Sequence, residues 1–222
     1  MPESSWKLLC ASAEHALLAA DCADTDGAPQ LYAEAERKAR LLIERRPSLA
    51  TGYHLLALSW YGRPDSSTER SKLIASALST AHELDPEDMF VQASLACHAF
   101  DEGDYGTALK WLGQLDSGVF VARGQQWRIL KHAELAACCR LHQEVGFDES
   151  GIEDLVDSYL ATESEDRPMP TELVHTTLAL ATSGRADSRH VGQVLRLLDG
   201  DEYTGVYHQE RAALNQWQNE AG

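Results

Sequence analysis

The chain has 222 residues, of which 44% are hydrophobic, enough apolar material for a continuous core. Its 35 acidic residues against 19 basic ones give a net charge of −16, which repels phosphate backbones and anionic lipid headgroups and so excludes nucleic acid and membrane surfaces as expected partners. That charge serves either plain solubility or attraction to a basic partner.

The start of the chain, MPESSWKLLCASAEH, carries Glu3 and no sustained apolar run, so it is not expected to act as a signal peptide, nor is Cys10 expected to be a lipoprotein cysteine. Nowhere does the sequence approach the roughly 18 apolar residues of a membrane helix. The five cysteines, Cys10, Cys22, Cys97, Cys138 and Cys139, form an odd set without CxxC spacing, and all lie on segments that read as helix. A reducing cytoplasm is the location this implies.

Next comes DCADTDG, where Asp24, Asp26 and Gly27 match the middle of a calcium-loop pattern. Cys22 and Ala33 stand where the first carboxylate and the closing glutamate are needed, so the segment reads as a polar loop between helices.

Two helical segments then end alike, AEAERKARLLIERRP at Pro47 and IASALSTAHELDP at Pro86. Small and apolar residues recur at helical spacing in both: Ala35, Ala39 and Leu42 in the first, Ile74, Leu78 and Ala81 in the second. Proline then stops each helix, because it cannot extend the hydrogen-bond ladder. Between the two stops, Tyr53, Leu56, Ala57 and Trp60 fall on one helical face. After Pro86 follow the helical stretch MFVQASLACHAF and the turn DEGDYGTALKWL, in which Gly103, Tyr105 and Ala108 keep a G-x-Y-x-x-A spacing that Tyr32 and Ala35 echo upstream.

These residues resemble the tetratricopeptide-repeat (TPR) family, whose unit of roughly 34 residues is an antiparallel helix pair. Tyr53, Leu56, Ala57 and Trp60 take the places of the large, leucine, small and aromatic residues of a first helix, with Ala81 and Pro86 closing the second once the insert GRPDSS is allowed for. Leu95, Ala96, Gly103, Tyr105, Ala108 and Leu115 fit the next unit without insertion. Small residues let two helices approach closely, and one pair alone cannot bury both faces. The resemblance implies an all-α, right-handed α-solenoid of antiparallel helix pairs over a single domain, 1–222, clearest over 30–116.

Beyond 117 the pattern decays into degenerate pairs over 118–199. QQWRILKHAELAACCRLHQ reads as one long helix. Gly146 precedes FDESGIEDLVDSYL, with Ile152, Leu155, Val156 and Tyr159 in a stripe. The prolines of SEDRPMP, Pro168 and Pro170, mark a joint or loop. A last pair from TELVHTTLALATSG to SRHVGQVLRLLDG puts Val191, Val194, Leu195 and Leu198 on one face, and 201–220 reads as a polar capping helix.

One cluster could hold a metal: His132, Cys138, Cys139 and His142 on a single predicted helix. A structural zinc needs ligands converging from more than one element, and Cys97 with His98, which point to different faces, do not supply them. Core packing is the expectation, with no metal and no cofactor. A Gly-rich phosphate loop, a G-x-S-x-G elbow and an H-E-x-x-H motif are all missing from the sequence, so no enzymatic role is expected.

The resemblance instead implies a binding surface lined by the first helix of each pair: Thr51, His54, Leu58 and Tyr61, then Phe90, Ala93, Cys97, Phe100 and Asp101. Family members that clamp a peptide carboxylate use Lys, Arg and Asn there, and this chain has none at these positions. The groove is apolar and aromatic, suited to an apolar helix or extended segment of a protein partner. Packing of the same side chains on another helix of this chain stays open as the alternative. A scaffold, adaptor or chaperone is the leading expectation. A bacterial immunity-type protein that inhibits a basic toxin domain is the alternative, and a helical enzyme with a dispersed site the third.

Overall fold

The computed structural model describes residues 3–23, 27–63, 67–143, 149–163, 167–200, 203 and 205–221. Among them are twelve α-helices and no strand: α1 (Glu3–Cys22), α2 (Ala28–Arg45), α3 (Ala50–Tyr61), α4 (Thr68–Leu84), α5 (Met89–Asp101), α6 (Tyr105–Leu112), α7 (Ser117–Ala122), α8 (Trp127–Gln143), α9 (Glu149–Ala161), α10 (Thr171–Thr182), α11 (Ser188–Leu198) and α12 (His208–Ala221). The chain divides into two compact units, Met1–His98 and Ala99–Gly222, with the division inside α5. Asp24, Asp26 and Gly146, and the middle of the GRPDSS insert, lie outside the described residues.

In the first unit, α1 packs on α2, α2 on α3 and α3 on α4, and α1 also reaches α3. Alanine makes these approaches possible: Ala13, Ala35, Ala39, Ala57 and Ala81 are fully enclosed, with Leu42 and Leu78 filling the space between helix axes. The stops at Pro47 and Pro86 are near copies. The residue before each proline, Arg46 and Asp85, leaves the helical region at φ −144°, ψ 75° and φ −143°, ψ 85°, as the following ring demands. Its amide still closes the last turn, Arg46 N donating to Leu42 O at 2.8 Å and Asp85 N to Ala81 O at 3.0 Å. The sequence repeat is thus a repeat of local backbone. Helix α1, to which the sequence reading assigned no partner, pairs with α2.

Tyr32 fastens three of these helices. Its hydroxyl donates to Asp21 Oδ1 at 2.7 Å from α2 to α1, and its ring covers Gly62 just past the end of α3. Burial and the Asp21 carboxylate hold the phenol at about 12, so it stays a donor.

In the second unit α8 is central: α6, α7, α9 and α10 pack on it, and α9 to α12 close the other side. The core includes Leu130, Cys138, Ile152, Val156, Tyr159, Leu173, Val194 and Leu198, and the α9 and α11 stripes read from sequence are all buried. Helices α5 and α10 stop on glycines in the left-handed region, Gly103 at φ 75° and Gly184 at φ 70°. The next amide reaches back across each stop, Asp104 N to Ala99 O and Arg185 N to Leu180 O, both at 2.8 Å.

Two elements differ from the sequence reading. The short α7, a separate helix ahead of the long α8, is not singled out in the sequence; it is capped by Asp116 accepting from Gly118 N at 2.8 Å. The last helix starts at His208, later than 201, because Tyr203 and Tyr207 turn inward, 3% and 5% exposed, and a turn positions them.

A Cβ on residue 62 would lie 1.8 Å from the Tyr32 ring. Gly62→Ala is therefore expected to displace Tyr32 and to cost about 1–3 kcal/mol of stability, read by urea denaturation, whereas Gly151→Ala, where nothing lies in the way, is not.

Candidate functional site

The surface expected from sequence begins on α3 and α5. Neither helix is apolar on one side only: α3 buries Leu55, Leu56, Ala57, Ser59 and Trp60, and its Tyr53, Leu58 and Tyr61 are partly buried. Thr51, His54, Leu58 and Tyr61 are each partly buried, as are Phe90 and Cys97. Ala93 is only 3% exposed and cannot meet a partner. His54 and Tyr61 are engaged by α5 itself: His54 Nε2 lies 2.9 Å from Ser94 Oγ, and the Tyr61 ring meets the His98 ring edge-on at 6.1 Å. Leu58 and Tyr61 also lean on the core of the first unit. Phe100 and Asp101 fall in the second unit, where Phe100 packs on two core clusters and on Tyr105 at 5.7 Å, and Asp101 is exposed.

The His/Cys cluster on α8 is dispersed by packing. Cys138 is fully buried among α8, α9 and α10, its thiol pushed up by burial and then by the Glu134 charge. Cys139, also fully enclosed, joins Ala99 and Ala108. His142 stacks flat on Tyr105 at 4.3 Å, and His132 meets Phe120 edge-on at 5.0 Å. Among the described residues no three His, Cys, Asp or Glu side chains gather as metal ligands.

A buried polar knot that the sequence reading missed joins α8, α9 and α10. Helix α10 starts after Pro170, whose side chain has no oxygen to cap the first turn. Glu134 supplies one from α8: Leu173 N donates to its Oε1 at 2.9 Å. The other oxygen accepts from the Tyr159 hydroxyl of α9 at 2.8 Å and pairs with Lys131 Nζ at 2.9 Å, and Lys131 also pairs with Glu172. Burial raises the Glu134 pKa, but three donors around two oxygens favour the carboxylate. Burial would neutralise Lys131; Glu134 and Glu172 outweigh it and keep the ammonium charged. A signal was present: Glu134 sits one turn from both Leu130 and Cys138, on the apolar face of its own helix. Nearby, the Thr177 hydroxyl donates to Leu173 O at 2.7 Å, so His190 Nε2, 2.9 Å from Thr177 Oγ1, must carry the proton of a neutral imidazole.

The geometry of these residues shows two kinds of place: a partly buried apolar face on α3 and α5 able to take contact, and a saturated polar knot that fastens helices. No family model, curated protein or solved structure matches the chain in comparisons with known proteins.

Replacing Glu134 with alanine leaves the Tyr159 hydroxyl and the α10 amide of Leu173 without their acceptor, while Lys131 keeps Glu172, and is expected to cost about 2–5 kcal/mol in denaturant titration. Tyr159→Phe should cost less, about 1–3 kcal/mol, since one donor is lost.

Acid acts through the imidazoles. Burial, partly offset by Asp187, holds His190 at about 4, and burial then Arg128 hold His132 at about 4, both below the usual value of 6.5. Between pH 6.5 and 4 the unfolded chain binds protons at these sites before the folded one does, so stability falls as pH falls through that window. The buried His190 is expected to contribute on the order of 2–3 kcal/mol to the loss, which His190→Gln would remove from a pH series of melting curves.

Proposed function

We propose that this chain is a non-enzymatic binding scaffold of TPR-like helix pairs, acting in the cytoplasm as an adaptor or chaperone that holds a protein partner on the α3 and α5 face. The observation that carries the reading is the partly exposed apolar and aromatic character of Leu58, Tyr61 and Phe90 on helices that are apolar all round. Repetition of the α2–α3 junction at α4–α5, with matching dihedrals and hydrogen bonds before Pro47 and Pro86, supports the helix-pair reading. The right-handed solenoid is part of the same proposal.

A second reading, an immunity-type inhibitor of a basic toxin domain, is favoured by the net charge of −16. The two differ in salt response. Apolar capture is insensitive to ionic strength, whereas charge-steered inhibition weakens steeply as salt rises.

Phe90 separates binding from folding better than Phe100, which is partly buried and packs against two core clusters of the second unit. With a partner obtained by affinity capture from the native host, Phe90→Ala is expected to weaken binding about tenfold or more at unchanged melting temperature. Phe100→Ala is expected to lower the melting temperature. Full retention of binding by Phe90→Ala would remove this face from the proposal.

A further inference from the structure

Helix α8 has a second face besides the one that builds the core. Ile129, His132, Ala133, Ala136 and Arg140 follow one another at helical spacing and, with Leu109 and Leu112 of α6 and Phe120 of α7, line a cavity of about 240 Å³. The hollow has a local cause. Ala133 and Ala136 end at Cβ where a longer side chain would fill the space between α8 and α6, and the short α7 closes one end with Phe120. An apolar cavity of roughly 150 Å³ already accepts a benzene ring, so this one is large enough for an organic ligand.

Its polar groups are few and unlike one another. Arg140 is exposed on the cavity wall and makes no ion pair or hydrogen bond among the described residues. His132 is about two turns away, roughly 12 Å along the helix axis. Its ring rests edge-on against Phe120 at 5.0 Å, and its nitrogens have no hydrogen-bond partner among the described residues. Burial and then Arg128 hold it at about 4, so it is neutral near pH 7 and adds no second cation. The other wall residues are apolar or small, apart from Ser117.

We propose that this cavity between α6, α7 and α8 binds a small monocarboxylate with an apolar body, of medium-chain alkyl or aryl type. The carboxylate meets the Arg140 guanidinium, whose planar fork matches it in a paired hydrogen bond. The body lies over Ala136 and Ala133 toward Phe120, where hydrophobic burial supplies the remaining affinity. A single cation suits one negative charge. Polyphosphates, with several charges and no apolar body, suit neither the lining nor a chain of net charge −16. This site is separate from the α3 and α5 face and stands or falls without it.

Isothermal titration with octanoate and 4-phenylbutyrate, with octylamine and octanol as controls, tests the assignment on the intact chain. Saturable one-to-one binding of both carboxylates is expected, with octanol weaker and octylamine at least about tenfold weaker. Arg140→Gln, at an exposed position, is expected to weaken octanoate about tenfold or more, bring it level with octanol and leave the melting temperature unchanged. Ala136→Leu is expected to abolish all of the binding by filling the cavity. Absence of saturable carboxylate binding to the unaltered chain would overturn the proposal, as would equal binding of octanoate and octylamine. So would octanoate binding that Arg140→Gln leaves unchanged, a result that stands whether or not Ala136→Leu folds.

Discussion

Close approach of helices through alanine is the constraint on which both units rest. Ala13, Ala35, Ala39, Ala57 and Ala81 in the first unit, and Ala108 in the second, have no exposed surface. Each is a place where a neighbouring helix comes near enough that a longer side chain would have to push it away. Large residues then pack around these crossings, Leu42 and Leu78 in one unit and Phe120 and Tyr159 in the other. Where alanines do not meet a neighbour the same economy leaves space, and the cavity beside Ala133 and Ala136 is the result.

The Glu134 knot solves a problem that the chain itself creates. Proline at position 170 stands just before α10 but leaves the first turn of that helix without a side-chain cap. A carboxylate reaching from α8 satisfies Leu173 N and ties in Tyr159 and Lys131. Buried ion pairs contribute little net stability compared with a well-packed apolar alternative, but removing one partner is costly. Here they tie the first turn of α10 to α8 and α9.

Core packing covers only part of the apolar surface of α3 and α5. Of the side chains assigned to a partner-facing surface, Ala93 is core, His54 and Tyr61 meet α5, and Phe100 belongs to the second unit. Thr51, His54, Leu58, Tyr61, Phe90, Cys97 and Phe100 all keep partial exposure. Helical spacing says which residues share a face. It does not say how much of that face a neighbouring helix covers.

The sequence alone determined the helical class, the proline stops at Pro47 and Pro86, and the buried stripes of α2, α4, α9 and α11, because periodicity and backbone sterics act within a few residues. The burial of Cys138 and Cys139 was legible for the same reason. Only tertiary packing decided that these thiols enter different clusters, that α1 pairs with α2, and that the chain closes into two compact units. The Glu134 cap was likewise beyond local reading, since its partners are 25 and 39 residues away. Long-range pairing depends on how helices dock, and docking is set by side-chain shape at the crossings rather than by the spacing along any one helix.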